Sequence, residues 1–439
     1  MNALRQFVEL LEQTQWMSTK TLADYQRKPL GKLLRHAYET VPFYRDRLAG
    51  IFRDDGSINW DRWRDIPLLT RSDIQDQAAD LVSTELPKNH GTTHDAQSSG
   101  TTGAPISVKL TTMHEIARGA VCARYFDWHG LAGNRVLATI RPLGVDEARY
   151  PQGDRREGWP EFGDLLGKSG MFLRLNSNTP IPDQIEWIAR SKPHYLYTLA
   201  SNAGALASYL DTNPDALMGV SLRGLMSYAE IVSDEIRARC RKAFGLEIID
   251  CYSAREAGYI ALQCPDHMSY HLQSETIKTE ILDIQSQPCN FGETGRVVVT
   301  PLYNYAMPLI RYEIRDHATI GVPCSCGRGL PVLTRIAGRT RNLFRLPNGA
   351  LIAPDFKTTT FLTHLAPRQW QIAQTGPLQI EVRLVPGVAV DEMDFDGMTA
   401  YIRKLLHPDF AVSYRLLDSI PIRPGGKHED YLCELPDDS

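Results

Sequence analysis

Between residues 115 and 275, segments with helical spacing alternate with short apolar runs: RVLATI (135–140), HYLYTL (194–199), GLMSYA (224–229) and LEIIDCYS (246–253). Apolar runs this short, separated by helix-length stretches, are what strands covered by helices look like, and they point to a helix-covered sheet. From residue 276 the texture changes. TIKTEILDI, a turn at NFGETG and RVVVTPL read as consecutive strands, a β-structured subregion of the same unit. Residues 1–80 look largely helical, and KPLGKLLRHAYETVPFYRDRL (28–48) keeps apolar residues at helical spacing until Pro42.

A third texture begins near residue 338. AGRTRNLFRLPNGALIAP (337–354) is polar, basic and rich in turn residues, and two strand-like runs beyond it, LQIEVRLVP and FAVSYRLL, bracket one helical segment, MTAYIRKLL. The 439 residues exceed what one core usually serves, about 250–300 residues. The expected class is mixed α/β and α+β. Its parts are a large domain over 1–337, a hinge at 338–342 and a small α+β domain over 343–439.

Bulk properties exclude several roles. With a formal net charge of −4 and interspersed charges, the chain has no basic footprint for nucleic acid or an anionic membrane. No run approaches the roughly 18 apolar residues of a membrane span. The N-terminal MNALRQFVELLEQTQWM breaks its apolar residues with Arg5, Glu9 and Glu12, which suits an amphipathic helix and not a signal peptide. Eight cysteines in a chain of this length do not make a secreted disulfide scaffold, so a cytoplasmic location is expected.

The densest hydroxyl cluster is Ser98, Ser99, Gly100, Thr101, Thr102 and Gly103. Small residues let the backbone approach an anion, and exposed N–H groups with added hydroxyls form a nest suited to phosphate. A flexible linker is the alternative meaning of such a composition. No Walker lysine follows, which argues against a phosphotransferase. Further along, DCYSAREAG places Tyr252 four residues before Glu256, PLIRYEIRD ends an apolar run at Asp316 where a turn is expected, and RPGGKHED presents Lys427 on a glycine turn. Cys264, His267 and His271 in QCPDHMSYH, with Cys324 and Cys326 in PCSCGRG, are the ligand types of a structural zinc site, although C-x-C is a tight spacing. Free buried cysteines beside an unrelated turn are the alternative there.

Taken in order, these motifs resemble the adenylate-forming acyl-CoA synthetases, and within them the branch of phenylacetate–CoA ligase and its capsule-biosynthesis relatives. SSGTTGAP matches that family's phosphate loop, YSAREAG its Tyr-Gly-x-x-Glu segment, RYEIRD its ribose-binding aspartate, AGRTRNLF its hinge, and IPIRPGGKHE its C-terminal lysine turn. HAYETVPFYRDRL and IPLLTRSDI are typical of the branch.

The resemblance implies an ATP-dependent, AMP-forming ligase. Such an enzyme activates a small carboxylic acid as an acyl-adenylate and passes the acyl group to CoA, a carrier-protein thiol or an amine. It also implies a small C-terminal domain that moves. Residues 98–103 would hold the β- and γ-phosphates. Tyr252 would stack on adenine, Asp316 and Arg339 would hold the ribose, and Glu256 would hold Mg²⁺. Lys427 would bridge the carboxylate and the α-phosphate, while Glu230, Asp250 and Ser253 would border the nucleotide. Zinc would sit on Cys264, His271, Cys324 and Cys326, with His267 as the substitute for His271. Aromatic side chains within 120–150, 195–205 and 227–253, among them Tyr125, Tyr197 and Tyr228, are expected to wall the acid pocket and give a preference for aryl acids.

Departures from the pattern concern charge. Ala104 stands where a lysine is common, Ser253 where glycine is usual, and Arg255 where a small hydroxyl residue precedes the glutamate. Arg255 is therefore expected to recognise the acid, through a second carboxylate or a phosphate, the alternative being that it replaces the positive charge missing at Ala104 and serves the nucleotide. Arg341 and Asn342 replace acidic residues at the hinge, which touches the second half-reaction. The competing expectation is a nucleotide-binding module of the same fold that has lost or altered that step. A monomer or a homodimer fits either reading.

Overall fold

The structure, a computed structural model, describes residues 3–97, 106–144, 146–159, 170–339, 344–347, 351–352, 358–420 and 431–435. Its first sheet has six strands in the order Asp154–Glu157, Met171–Asn176, Leu137–Arg141, Tyr195–Thr198, Gly224–Ser227 and Ile248–Ile249. All neighbours run parallel except the Asp154–Glu157 edge. Parallel strands are buried on both faces, which explains why the sequence shows them as near-continuous apolar runs. One face packs on helices Ile181–Ser191, Ala200–Thr212 and Asp234–Phe244. The other packs on helix Thr112–Trp128. The Thr111 hydroxyl caps that helix by accepting from the His114 N–H at 3.2 Å. Its buried residues surround it on all sides, so it is a central helix and not a surface one.

The chain leaves this sheet at Ile249 and within two residues enters a second sheet of seven strands. There the order is Ile277–Leu282, Thr294–Pro301, Tyr312–Gly321, Val332–Arg339, Tyr270–Leu272, Gly258–Gln263 and Cys251–Ala254, antiparallel throughout. Helix Thr19–Thr40 lays Leu30, Leu33, Leu34 and Ala37 against it. This helix carries Pro29 inside and ends at Val41, just before Pro42.

Asp316 lies inside the long strand Tyr312–Gly321, not at the turn the sequence suggested. The strand continues because it bulges. Its register with the neighbouring strand shifts between Arg296 and Val298, and Arg315 takes a φ of 66° just before Asp316. Bulges of this kind re-aim a side chain without ending a strand.

The residues after 343 have a core of their own, built from Phe344, Phe361, Trp370, Ile372, Val382, Leu384, Met398, Ile402 and Phe410. Both expected strand-like runs and the expected helix are present, as Gln379–Pro386, Ala411–Leu416 and Phe395–Leu405. A central strand, Pro367–Gly376, was not expected, because its glutamines interrupt the apolar alternation; the buried Gln374 spends its amide on the Arg345 carbonyl at 2.9 Å. Strand Tyr431–Cys433 adds beside it in parallel.

A buried ion pair joins the layers of the large domain. The Arg124 guanidinium, from the central helix, meets both Glu275 oxygens at 2.8 and 3.3 Å and the Gln273 amide oxygen at 2.9 Å. It also donates to the Leu11 carbonyl of the first helix, while the Thr14 hydroxyl donates to Glu275 at 2.8 Å. Their side chains are only 4% and 1% exposed. Removing one partner strands the other charge in the interior. Glu275→Ala should therefore lower the unfolding free energy by roughly 3–5 kcal/mol. The double change Arg124→Met with Glu275→Leu should lose clearly less. Urea unfolding of the three proteins checks both expectations.

Candidate functional site

The YSAREAG segment forms a tight hairpin. Strand Cys251–Ala254 turns at residues 255–257 and returns as Gly258–Gln263, with Ala254 opposite Gly258. Gly258 has a φ of 83°, a conformation that costs glycine little. The hairpin buries Glu256, 8% exposed, and leaves Arg255 exposed at its tip. On its first strand the Tyr252 hydroxyl donates to Asp316 Oδ2 at 2.7 Å. Two motifs 64 residues apart in the chain thus meet in one hydrogen bond, and the bulge at Arg315 makes it possible. Asp316 lies opposite Arg339 on the next strand; for Arg339 only this backbone pairing is described.

Two further side chains, Arg71 and Tyr312, belong to this cluster, and no motif pointed to them. Leu69 forms a parallel bridge with Tyr312, its N–H donating to the Arg311 carbonyl at 2.9 Å and its carbonyl accepting from Glu313. A capping box between Thr70 and Asp73 then starts helix Arg71–Asp76, so Arg71 arrives over the sheet, 8% exposed. Burial, and next the Glu256 carboxylate, hold the Tyr312 phenol well above its ordinary range; a hydrogen bond with Arg71 works against them, and Asp316 adds to the rise. Arg71 therefore sets positive charge among Glu256, Tyr312 and Asp316. The capping box was legible in TRSD; its docking against strand Tyr312–Gly321 was not, being a long-range contact.

Glu230 lies beyond the end of strand Gly224–Ser227, after Ala229 at a φ of 63°. It accepts from the Ser201 N–H at 2.7 Å and the Ser201 hydroxyl at 3.1 Å. It thus holds the N-terminal turn of helix Ala200–Thr212, where a carboxylate is favoured. Asp250 is enclosed, accepting from Tyr270 at 2.7 Å and from the Cys251 N–H at 2.8 Å, with Arg237 close by. Burial pushes its pKa up to about 6. Ser253 is half-buried on the hairpin strand opposite Tyr259. The Tyr197 and Tyr228 rings lie 4.8 Å apart on the sheet face that meets the central helix. Residues 98–103, Ala104, Arg341, Asn342 and Lys427 lie outside the described residues.

A second cluster joins two turns of the seven-stranded sheet. Cys264, His271, Cys324 and Cys326 each bring one donor atom within 4.8 Å of the others. Cys264 Sγ lies 3.9 Å from Cys324 Sγ, and Cys326 Sγ lies 3.3 Å from His271 Nε2. A tetrahedron with Zn–S bonds of about 2.3 Å has edges of about 3.8 Å, so these separations suit four ligands of one ion. His271 Nδ1 faces the Leu330 carbonyl at 3.4 Å, which leaves Nε2 for the cluster. Burial lowers the His271 pKa to about 4 and keeps the ring neutral, as a ligand must be. Burial also pushes the Cys264 thiol up to about 12. His267 stands apart, exposed and 2.9 Å from the Ser325 hydroxyl, so the geometry selects His271 over His267.

No family model matches the chain. Its sequence is similar to the phenylacetate-coenzyme A ligase of Pseudomonas putida, 26% identical over 327 residues that cover 70% of this chain and 68% of that one. The Escherichia coli protein of the same name is 26% identical over 355 residues, covering 76% and 74%. Among solved structures, 2-hydroxyisobutyryl-CoA ligase in the postadenylation state with 2-HIB-AMP superposes with a TM-score of 0.71 at 18% identity, covering 93% of this chain and 89% of that one. An anthranilate CoA ligase in complex with anthranoyl-AMP gives 0.55 at 15%, covering 76% and 65%. The chain has the fold of these ligases, and its sequence resembles the phenylacetate-coenzyme A ligases.

The hydrogen bond that joins hairpin to bulged strand gives a direct check. Tyr252→Phe keeps the ring and removes the donor to a carboxylate, a bond typically worth about 1.5–3 kcal/mol. Urea unfolding should show a loss in that range, and a smaller one where water replaces the phenol.

Proposed function

We propose that this chain is an ATP-dependent, AMP-forming carboxylic acid ligase with CoA as the acyl acceptor. The observation that carries the reading is the Tyr252–Asp316 hydrogen bond beside the buried Glu256, in a fold shared with enzymes solved with acyl-adenylates. In the first step a carboxylate oxygen of the acid attacks the α-phosphorus of ATP. The bond to the bridging oxygen breaks, and that oxygen leaves with pyrophosphate. In the second step the CoA sulfur attacks the acyl carbon and AMP departs. Neither step needs a covalent enzyme intermediate, so the protein contributes positioning and charge.

Within this reading Ser98, Ser99, Gly100, Thr101, Thr102 and Gly103 hold the β- and γ-phosphates. Asp316, with Arg339 beside it, accepts from the ribose hydroxyls, and Tyr252 both fixes Asp316 and offers its ring to adenine. Glu256 is an oxygen donor of the kind Mg²⁺ prefers, buried beside the strand that carries Tyr312. Mg²⁺ there would share the phosphate charge. Asp250 and Ser253 hold the strand that carries Tyr252, and Glu230 borders the nucleotide from the end of the parallel sheet. Arg255 adds a guanidinium at the tip of the hairpin. Lys427 offers a compact charge with three donors to the carboxylate and α-phosphate oxygens. None of the eight cysteines is in a disulfide, in keeping with a reducing, cytoplasmic setting. No described helix is long and apolar enough to cross a membrane.

Cys264, His271, Cys324 and Cys326 we assign to a structural Zn²⁺. The ion would tie the turn after strand Gly258–Gln263 to the turn before Val332–Arg339, and so hold the return strand of the catalytic hairpin. Arg328 and Gly329, just beyond Cys326, contact Gln15 of the N-terminal segment at 3.1 and 2.9 Å.

Two outcomes are expected. Lys427→Ala should cut acid-dependent pyrophosphate release by on the order of 10²-fold or more while ATP still binds, because the lysine's contacts tighten as charge moves in the transition state. Release near the wild-type rate across a panel of acids would remove Lys427 from the mechanism. Zinc should accompany the purified protein at about one per chain. Cys324→Ser should lower both metal content and melting temperature, since a structural metal adds its binding energy to folding. Elemental analysis and calorimetry read the two together.

A further inference from the structure

The parallel sheet ends in a set of groups that the nucleotide chemistry leaves unused. Ile140 pairs with Thr198, and Thr198 with Ser227, so these three form one row across neighbouring strands. The next row outward holds Arg141 and Tyr228. Side chains alternate along a strand, so this row shares its face with Thr139, Tyr197 and Met226, two residues earlier. That face meets the central helix, and Leu137, Tyr195, Tyr197, Met226 and Tyr228 all belong to the apolar cluster there. Ligands in open parallel sheets bind at the carboxyl ends of the strands, where Arg141 stands.

The chemistry of this row is specific. Arg141 is exposed, and its guanidinium has no hydrogen-bond or ion-pair partner among the described residues. The Tyr228 hydroxyl is buried and has no partner either. Burial raises the Tyr228 pKa to about 12, the Arg141 charge works against that rise, and Glu230 adds to it. A cation and an unused hydroxyl therefore share one row and one face of the sheet, two strands apart, with the Tyr197 ring packed against Tyr228. Glu230 is the opposing charge nearby, and its two hydrogen bonds from Ser201 at the start of a helix offset it. An unsatisfied buried donor is costly unless a ligand fills it.

We propose that Arg141 and Tyr228 bind a second carboxylate of the substrate, so that the acid activated here is a dicarboxylic acid. Its remote carboxylate accepts from the guanidinium and from the Tyr228 hydroxyl. Its spacer lies along the Tyr197 ring, and its other carboxylate points towards the nucleotide. Arginine suits this task because its planar fork matches a carboxylate in bidentate fashion. The assignment rests on the acid-ligase reading, but it places the second carboxylate on Arg141 and not on Arg255, which is exposed on the hairpin tip beside Glu256.

Pyrophosphate release without CoA, measured on matched pairs such as terephthalate with benzoate and adipate with hexanoate, tests it. The wild type should favour the diacid of a pair. Arg141→Met should lower the diacid-to-monoacid ratio of kcat/KM by about 10- to 100-fold, and Tyr228→Phe by less, with KM for ATP unmoved. A wild-type preference for the monoacids overturns the proposal. So does a fall in the ratio for Arg255→Thr instead of Arg141→Met, or a change confined to the KM for ATP. If no acid yields pyrophosphate, the ligase reading fails. Calorimetric binding of the same diacids then decides this inference alone: binding lost in Arg141→Met supports it, and no binding to the wild type overturns it.

Discussion

The large domain depends on the Arg124–Glu275 pair, because no other contact described above reaches so many of its layers at once. Arg124 comes from the central helix, Glu275 from the connection between strands Tyr270–Leu272 and Ile277–Leu282, and both also hold the first helix through Leu11 and Thr14. A buried ion pair is weak evidence of net stability, since desolvation costs both charges. What it adds is registry. Apolar packing against the central helix would tolerate sliding, whereas a guanidinium with this many acceptors fixes helix, sheet and N-terminal segment in one arrangement. The hairpin of Tyr252 and Glu256 then inherits that registry, because Gly258–Gln263 lies directly beside Tyr270–Leu272.

The hairpin is held from both ends. At its start the chain passes from the parallel sheet into the antiparallel one, and Asp250 is buried at the crossing. Its carboxylate accepts from Tyr270, whose phenol also takes a bond from Arg237 at 3.3 Å, while the Asp250 N–H is capped by Gln263 at 2.9 Å. At the far end lies the Cys/His cluster. Between these anchors, Tyr252 and Glu256 have little freedom, and sites that stabilise developing charge need such preorganisation.

Local chemistry was legible in the sequence, and long-range placement was not. Tyr252, Glu256 and Asp316 were readable because each motif carries its own residue types, and the structure brings Tyr252 and Asp316 together. Cys264, Cys324, Cys326 and one histidine were readable as ligand types, but choosing His271 over His267 needed the strand that turns His271 inward. Asp316 was placed at a turn because aspartate after an apolar run usually marks one; the bulge at Arg315 allowed the strand to continue. Strand Pro367–Gly376 was missed since Gln369, Gln371 and Gln374 disguise its alternation. Arg71 was invisible because its significance comes from a β-bridge between Leu69 and Tyr312, and nothing in IPLLTRSDI reports that contact.

The carboxylates near the site divide by what satisfies them, and this division decides what each can do. Asp250 is enclosed by protein donors, and burial raises its pKa, so it acts as a brace with no face left for a ligand of any size. Glu230 spends its charge on a helix terminus. Asp316 has the Tyr252 hydroxyl on one oxygen and lies half-exposed at the sheet surface. Glu256 is buried, and its carboxylate acts on the Tyr312 phenol together with Arg71. The same logic applies in reverse at the end of the parallel sheet. There a guanidinium and a phenol have donors and no acceptor among the described residues, which is the arrangement that suits an anion.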